Sequence, residues 1–199
     1  MKLFYLLWIA VMVIDNILPF VLAIFYKGYS HKNMALSVLG CRQSPVKWVY
    51  NIWCIISGIA FVVGGVEIYL QHRSGLSLTS GILLILYGVG CEVMSGFFPV
   101  NESRDEIDTS TKIHGAGSAL GFTALLFVPL FLGIDMLREN AILSGALALV
   151  AFLAALMFFT FFIMGEKERF SKTALRYGGL WQRLTLAMCY IAVFIIIMV

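Results

Sequence analysis

The chain is poor in charge. Only 13% of its 199 residues are Asp, Glu, Lys or Arg, about half the share of a soluble domain. It contains three histidines and four cysteines. Cys41, Cys54, Cys91 and Cys189 form no C-x-x-C pair, so neither a thiolate metal centre nor a disulfide framework is expected. Packing as small buried apolar groups is the expected role of these thiols. No H-E-x-x-H motif is present, and no second histidine lies within a helical turn of the first. His31, His72 and His114 do not pair inside a span, which argues against haem. The formal charge of +3 gives no basic footprint for nucleic acid. The expectation is a chain without metal, cofactor or nucleic-acid partner.

Apolar and aromatic residues fill the space that charge leaves, at 61% of the chain. A soluble fold of this size cannot hide so much apolar surface. A membrane-spanning helix needs about 20 mostly apolar residues. Six such stretches are present: Leu3–Tyr26, Val49–Leu70, Leu76–Phe98, Thr111–Gly133, Asn140–Met164 and Leu180–Val199. No loop is long enough to fold alone. The expected fold class is all-α, a polytopic bundle of six transmembrane helices forming one domain over residues 1–199. Span 1 is too long for a signal peptide and lacks a small-x-small cleavage site, so it reads as an uncleaved helix.

The cations are unevenly placed. Loops 1, 3 and 5 carry eleven of the fourteen, from Lys27 to Arg183, against Lys2, Arg73 and Arg138 on the other side. The positive-inside rule puts those loops in the cytoplasm and both termini outside. In loop 1, Met34–Leu39 is a short apolar run that reads as a helix lying on the headgroups. In loop 5, Trp181 reads as an interfacial anchor.

Spans 2, 3 and 4 are rich in glycine, including Gly117-x-x-x-Gly121. Small residues let helix backbones approach closely in lipid, so these three spans are the expected bundle centre. Spans 5 and 6 carry large side chains and are expected to face lipid over much of their surface. No internal repeat suggests a two-half transporter.

Ionisable groups inside lipid are costly and usually functional. Asp15 lies in mid-span beside Asn16, and Pro19 removes the helical partner of the Asp15 carbonyl. Asn16 or a neighbouring helix is expected to satisfy that carbonyl. Glu92 lies inside span 3. Glu67 is close enough to the end of span 2 to snorkel outward. Loop 3 gathers Glu102, Asp105, Glu106 and Asp108 ahead of His114. Ser110 or Thr111 is the expected N-cap of span 4, which places His114 in the first turn. An acid cluster with one histidine suits acid–base chemistry. Ser95 and Ser118 fall near the same end of the bundle.

Four short pieces carry a family likeness: Ser37-x-Leu39-Gly40 followed by Ser44-Pro45; Gly96-Phe97-Phe98-Pro99; Thr111-x-x-His114-x-x-Gly117; and Gly179-Leu180-Trp181-Gln182-Arg183. In order and spacing the chain resembles the prokaryotic six-helix membrane family DUF998, a domain of unknown function. The resemblance implies the fold, a prokaryotic plasma membrane, and a recurring polar set of Ser37, Pro99, His114 and Arg183. Where that family shows an Asp after the Pro, this chain offers Asn101 or Asp105. Where it shows an acid before the last Arg, this chain has Gln182.

Three functions compete at this point. The first binds or moves a hydrophobic or lipid-like ligand in a bundle cavity, through Ser37, Asp15, Asn16, Glu92, His114 and Arg183. The second is a lipid-modifying enzyme with His114 as base and Glu92 or Asp105 as its partner. The third is an accessory or sensor subunit that meets itself or another membrane protein through small-residue faces. Membrane lipids are the expected partners throughout.

Overall fold

The computed structural model describes residues 3–101 and 108–198, apart from the side chain of His72. Asp105 therefore lies outside the described residues, with the rest of the loop 3 acids except Asp108. Six helices are long and apolar enough to cross a membrane: α1 Leu3–Ala23, α2 Lys47–His72, α3 Gly75–Phe97, α4 Thr109–Arg138, α5 Ile142–Gly165 and α6 Gly178–Ile197. The described residues contain no strand. The all-α, six-span reading is borne out.

Glycines set how the centre closes. A Cβ on Gly58 would meet the Gly88 carbonyl oxygen at 2.5 Å, and one on Gly88 would meet that of Gly58 at 2.5 Å. Gly90 and Gly117 face each other in the same way between α3 and α4, at 2.8 and 2.6 Å. Such backbone-to-backbone contact is how helices gain dispersion energy in lipid, where no hydrophobic force drives them together. Gly64 of α2 gives its space to the Trp8 indole of α1. Trp8 then meets Phe61, with centroids 6.0 Å apart.

Helix α6 departs from expectation. Cys189, Tyr190, Ala192, Val193 and Ile196 are buried in the core with α2, α3 and α4 residues. Its large residues alternate with small ones, so a composition of bulky side chains concealed a packed face. The loop 1 run also differs. It forms a 3-10 helix over Leu36–Gly40, but Leu39 is fully buried and Asn51 Nδ2 donates to the Gly40 carbonyl at 3.1 Å. The segment is tucked into the bundle, because its apolar side chains find protein instead of headgroups.

Helix α4 begins earlier than the sequence suggests. Asp108 is its N-cap and accepts from the Thr111 amide at 2.8 Å. A carboxylate there also complements the helix dipole. Ser110 instead donates to the Pro99 carbonyl at 2.8 Å, and His114 moves to the second turn. At the far end α4 runs on to Arg138 and carries Asp135, which is buried with Ser74 Oγ 2.8 and 2.7 Å from its two carboxylate oxygens.

Candidate functional site

Loops 1, 3 and 5 meet at one end of the bundle. Arg42 N donates to the Val100 carbonyl at 3.1 Å, and Leu180 N to that of Lys32 at 3.2 Å. Arg42 also pairs with Asp108 at 2.6 Å. That pair is half exposed and so contributes little stability. Hydrogen bonds from Thr111, then the Arg42 charge, hold the Asp108 carboxyl below its ordinary range.

Arg183 is the strongest tie. One guanidinium nitrogen, Nη1, lies 2.9 Å from the His31 carbonyl, 3.2 Å from that of Met34 and 2.7 Å from that of Gly179. Nη2 donates to the Tyr29 hydroxyl at 2.5 Å. A planar fork with several donors suits this task, and an ammonium does not. Gln182 adds to it, since Leu36 N donates to its Oε1 at 2.8 Å. His31 stacks on Phe20 with centroids 4.5 Å apart. Burial, then the Arg183 charge, pushes its imidazole below the ordinary range.

Two cavities lie beneath this end. The first, about 410 Å³, runs between α1, loop 1 and α6, with Asp15, Asn16, His31, Lys32, Arg183 and Tyr190 among its walls. The second, about 340 Å³, is bounded by α2 to α6 and loop 1, with Ser37, Glu92, Ser95, His114, Ser118 and Gln182 in its lining. The residues expected to bind a ligand in one bundle cavity are thus divided. Ser37, Glu92 and His114 share the second cavity. Asp15, Asn16 and Arg183 share the first. Leu36 and Leu186 line both.

Asn16 bonds to the Met12 carbonyl at 2.9 Å rather than to the carbonyl that Pro19 leaves without its helical donor. His114 Nδ1 lies 3.0 Å from the Phe98 carbonyl oxygen. A carbonyl can only accept, so Nδ1 carries the hydrogen and the neutral ring keeps a bare lone pair on Nε2. Ser95 and Ser118 approach within 3.3 Å of each other.

The polar interior extends beyond Asp15 and Glu92. Trp53 Nε1 donates to Asp15 Oδ1 at 2.7 Å. The Tyr190 hydroxyl lies 2.5 Å from Asp15 Oδ2. The Tyr190 and Tyr87 hydroxyls are 2.5 Å apart, and Tyr87 lies 2.6 Å from Glu92 Oε1. A continuous line of hydrogen bonds therefore joins the two carboxyls. Phe61 holds both tyrosine rings, edge-on to Tyr87 at 4.8 Å and stacked on Tyr190 at 5.2 Å.

The Tyr87–Glu92 contact depends on a π-helical turn over Gly88–Val93. In a regular α-helix residues five apart lie on different faces. The wider turn brings them onto one face, as such turns often do at functional positions. The tyrosines had a signal of their own. Tyr belongs at membrane interfaces, yet Tyr87 and Tyr190 sit in mid-span.

Among the described residues, fold and interior define a multi-pass helical membrane protein in which a polar line joins one cavity to another. The chain belongs to the family described as Protein of unknown function (DUF998), whose profile matches residues 7–199. No curated protein and no solved structure matches it.

Proposed function

We propose that this protein binds or moves a hydrophobic or lipid-like molecule, with the second cavity as the binding chamber. The observation that carries the reading is the lining of that cavity. Apolar walls from Phe122, Phe159 and Phe162 meet a few polar groups, chiefly His114, Glu92 and Gln182. A largely apolar pocket with a few convergent polar groups suits an amphiphile. In this reading the loop end is the cytoplasmic mouth, both termini lie outside, and the bilayer is a plasma membrane that supplies the ligand.

The geometry favours binding over lipid-modifying catalysis. A Ser–His–Asp arrangement turns Nδ1 of its histidine to the acid, and here Nδ1 is taken by the Phe98 carbonyl. Native mass spectrometry of the protein released from lipid nanodiscs tests the binding reading. A retained lipid mass that is lost when Ser118→Trp fills the cavity supports it. The same retained mass in Ser118→Trp, with the helical signal intact, overturns it.

A further inference from the structure

We propose that Asp15 and Glu92 share a single proton, which the Tyr87 and Tyr190 hydroxyls pass between the floors of the two cavities. The count of hydrogens leads to this. Three oxygen–oxygen contacts, at 2.5, 2.5 and 2.6 Å, close the line from Asp15 through Tyr190 and Tyr87 to Glu92. Each contact needs one hydrogen between its oxygens. Two tyrosines bring one hydrogen each. The third comes from a carboxyl, so at least one of the two is an acid; in the proposed state the other is a carboxylate.

The line then has two arrangements. In one, Glu92 donates to Tyr87, Tyr87 to Tyr190 and Tyr190 to the Asp15 carboxylate. In the other every donor is reversed. The exchange moves the Glu92 hydrogen onto Tyr87, the Tyr87 hydrogen onto Tyr190 and the Tyr190 hydrogen onto Asp15. No atom is gained or lost, and one negative charge crosses from the first cavity to the second. The surroundings suit such a relay. Tyr87 is fully buried and Tyr190 is 3% exposed, so bulk water does not short-circuit the line. Trp53 Nε1 adds a fixed donor at Asp15. The other ionisable groups near the ends are Tyr50, Cys54, Cys91 and His114 in the second cavity and His31, Lys32 and Arg183 in the first. The hydrogen count holds whichever molecule enters the cavities.

Infrared difference spectroscopy of the purified protein in nanodiscs at neutral pH reads the proton directly. Subtracting the Asp15→Asn, Glu92→Gln double variant from wild type should leave the carbonyl stretch of one protonated carboxyl. Either single variant alone should abolish that whole stretch. Its amide supplies the third hydrogen, and the remaining carboxyl becomes a carboxylate. In a Tyr87→Phe background the link is cut, and Asp15→Asn should no longer remove the protonated Glu92 signal. A stretch that survives in a folded single variant overturns the proposal, because both carboxyls then hold their own proton. No stretch in the wild-type difference overturns it from the other side. Since each single variant decides alone, failure of one to fold leaves the other as the test.

Discussion

The Tyr190 hydroxyl of α6 reaches Asp15 of α1 across 175 residues of sequence, at 2.5 Å. It ties the last spanning helix to the first through a polar contact in mid-bundle. The same hydroxyl meets Tyr87, so the two tyrosines act on one network. Tyr87→Phe and Tyr190→Phe should each destabilise the protein by about 1–3 kcal/mol, the cost of leaving a buried polar group unpaired. The double variant should cost less than the sum by about 1 kcal/mol or more. Thermal unfolding in detergent measures the difference. Additive losses would show that the hydroxyls are independent.

Arg183 offers a second test. Arg183→Lys keeps the charge but cannot span the His31, Met34 and Gly179 carbonyls and the Tyr29 hydroxyl at once. Hydrogen bonds from a charged group are worth about 1.5–3 kcal/mol each. Loop 1 should be cut faster by protease in the lysine variant, while cleavage in loop 5 changes less. Equal rates at loop 1 would remove Arg183 from its role as the clamp.

Two glycines should respond in opposite directions. At Gly88 an added Cβ meets the Gly58 backbone at 2.5 Å. Gly88→Ala should therefore cost about 1–3 kcal/mol, as overpacking does. At Gly115, inside α4, nothing lies within 4 Å of a Cβ. Gly115→Ala should stabilise the helix by about 0.5–1 kcal/mol. Melting temperatures of the two variants against wild type decide this.

The acid side of the stability profile belongs in part to Asp108. Its carboxyl is held below the ordinary range by Thr111 and Arg42. A group whose folded value is depressed contributes stability above its unfolded value, and that contribution fades as pH falls through the folded one. Melting temperature should drop as pH falls below about 4, the ordinary aspartate range. Asp108→Asn should keep the cap and flatten that slope, because asparagine caps a helix without titrating. An unchanged slope in Asp108→Asn would assign the acid sensitivity to other carboxyls.

A long-chain primary amine is a probe for the cavity floors. A cation beside one carboxyl draws the single negative charge to that floor and leaves the other floor neutral. Binding at one cavity should therefore weaken binding at the other, by about tenfold in the range usual for coupled sites. The coupling should vanish in Tyr87→Phe. Isothermal titration into nanodiscs reads both steps.

Much of the fold was legible because lipid imposes few solutions. Six apolar runs of spanning length leave little besides a helical bundle, and the glycine content of spans 2, 3 and 4 pointed to the region where Gly58 meets Gly88 and Gly90 meets Gly117. Asp15 and Glu92 stood out one at a time, since a charge in an apolar run is visible locally. Their connection was hidden for two physical reasons. The π-helical turn shifts Glu92 onto the face of Tyr87, and sequence spacing assumes regular helices. Tyr190 comes from a span whose bulky composition resembles a lipid-facing one. The N-cap at Asp108 was hidden because Ser110 and Thr111 have capping chemistry of their own; in the fold Ser110 turns to the Pro99 carbonyl and Asp108 caps the Thr111 amide. The family motifs, in turn, are where the loops fasten to one another: His114 to Phe98, and Arg183 to loop 1.

Leu36 and Leu186 stand in the walls of both cavities, and this has a mechanical consequence. The partition between the chambers is partly made of two flexible aliphatic side chains, one on loop 1 and one on α6. A guest swelling one chamber pushes on the same leucines that shape the other. Trimming Leu186 to alanine would thin that partition and leave Leu36 as the side chain the two chambers share.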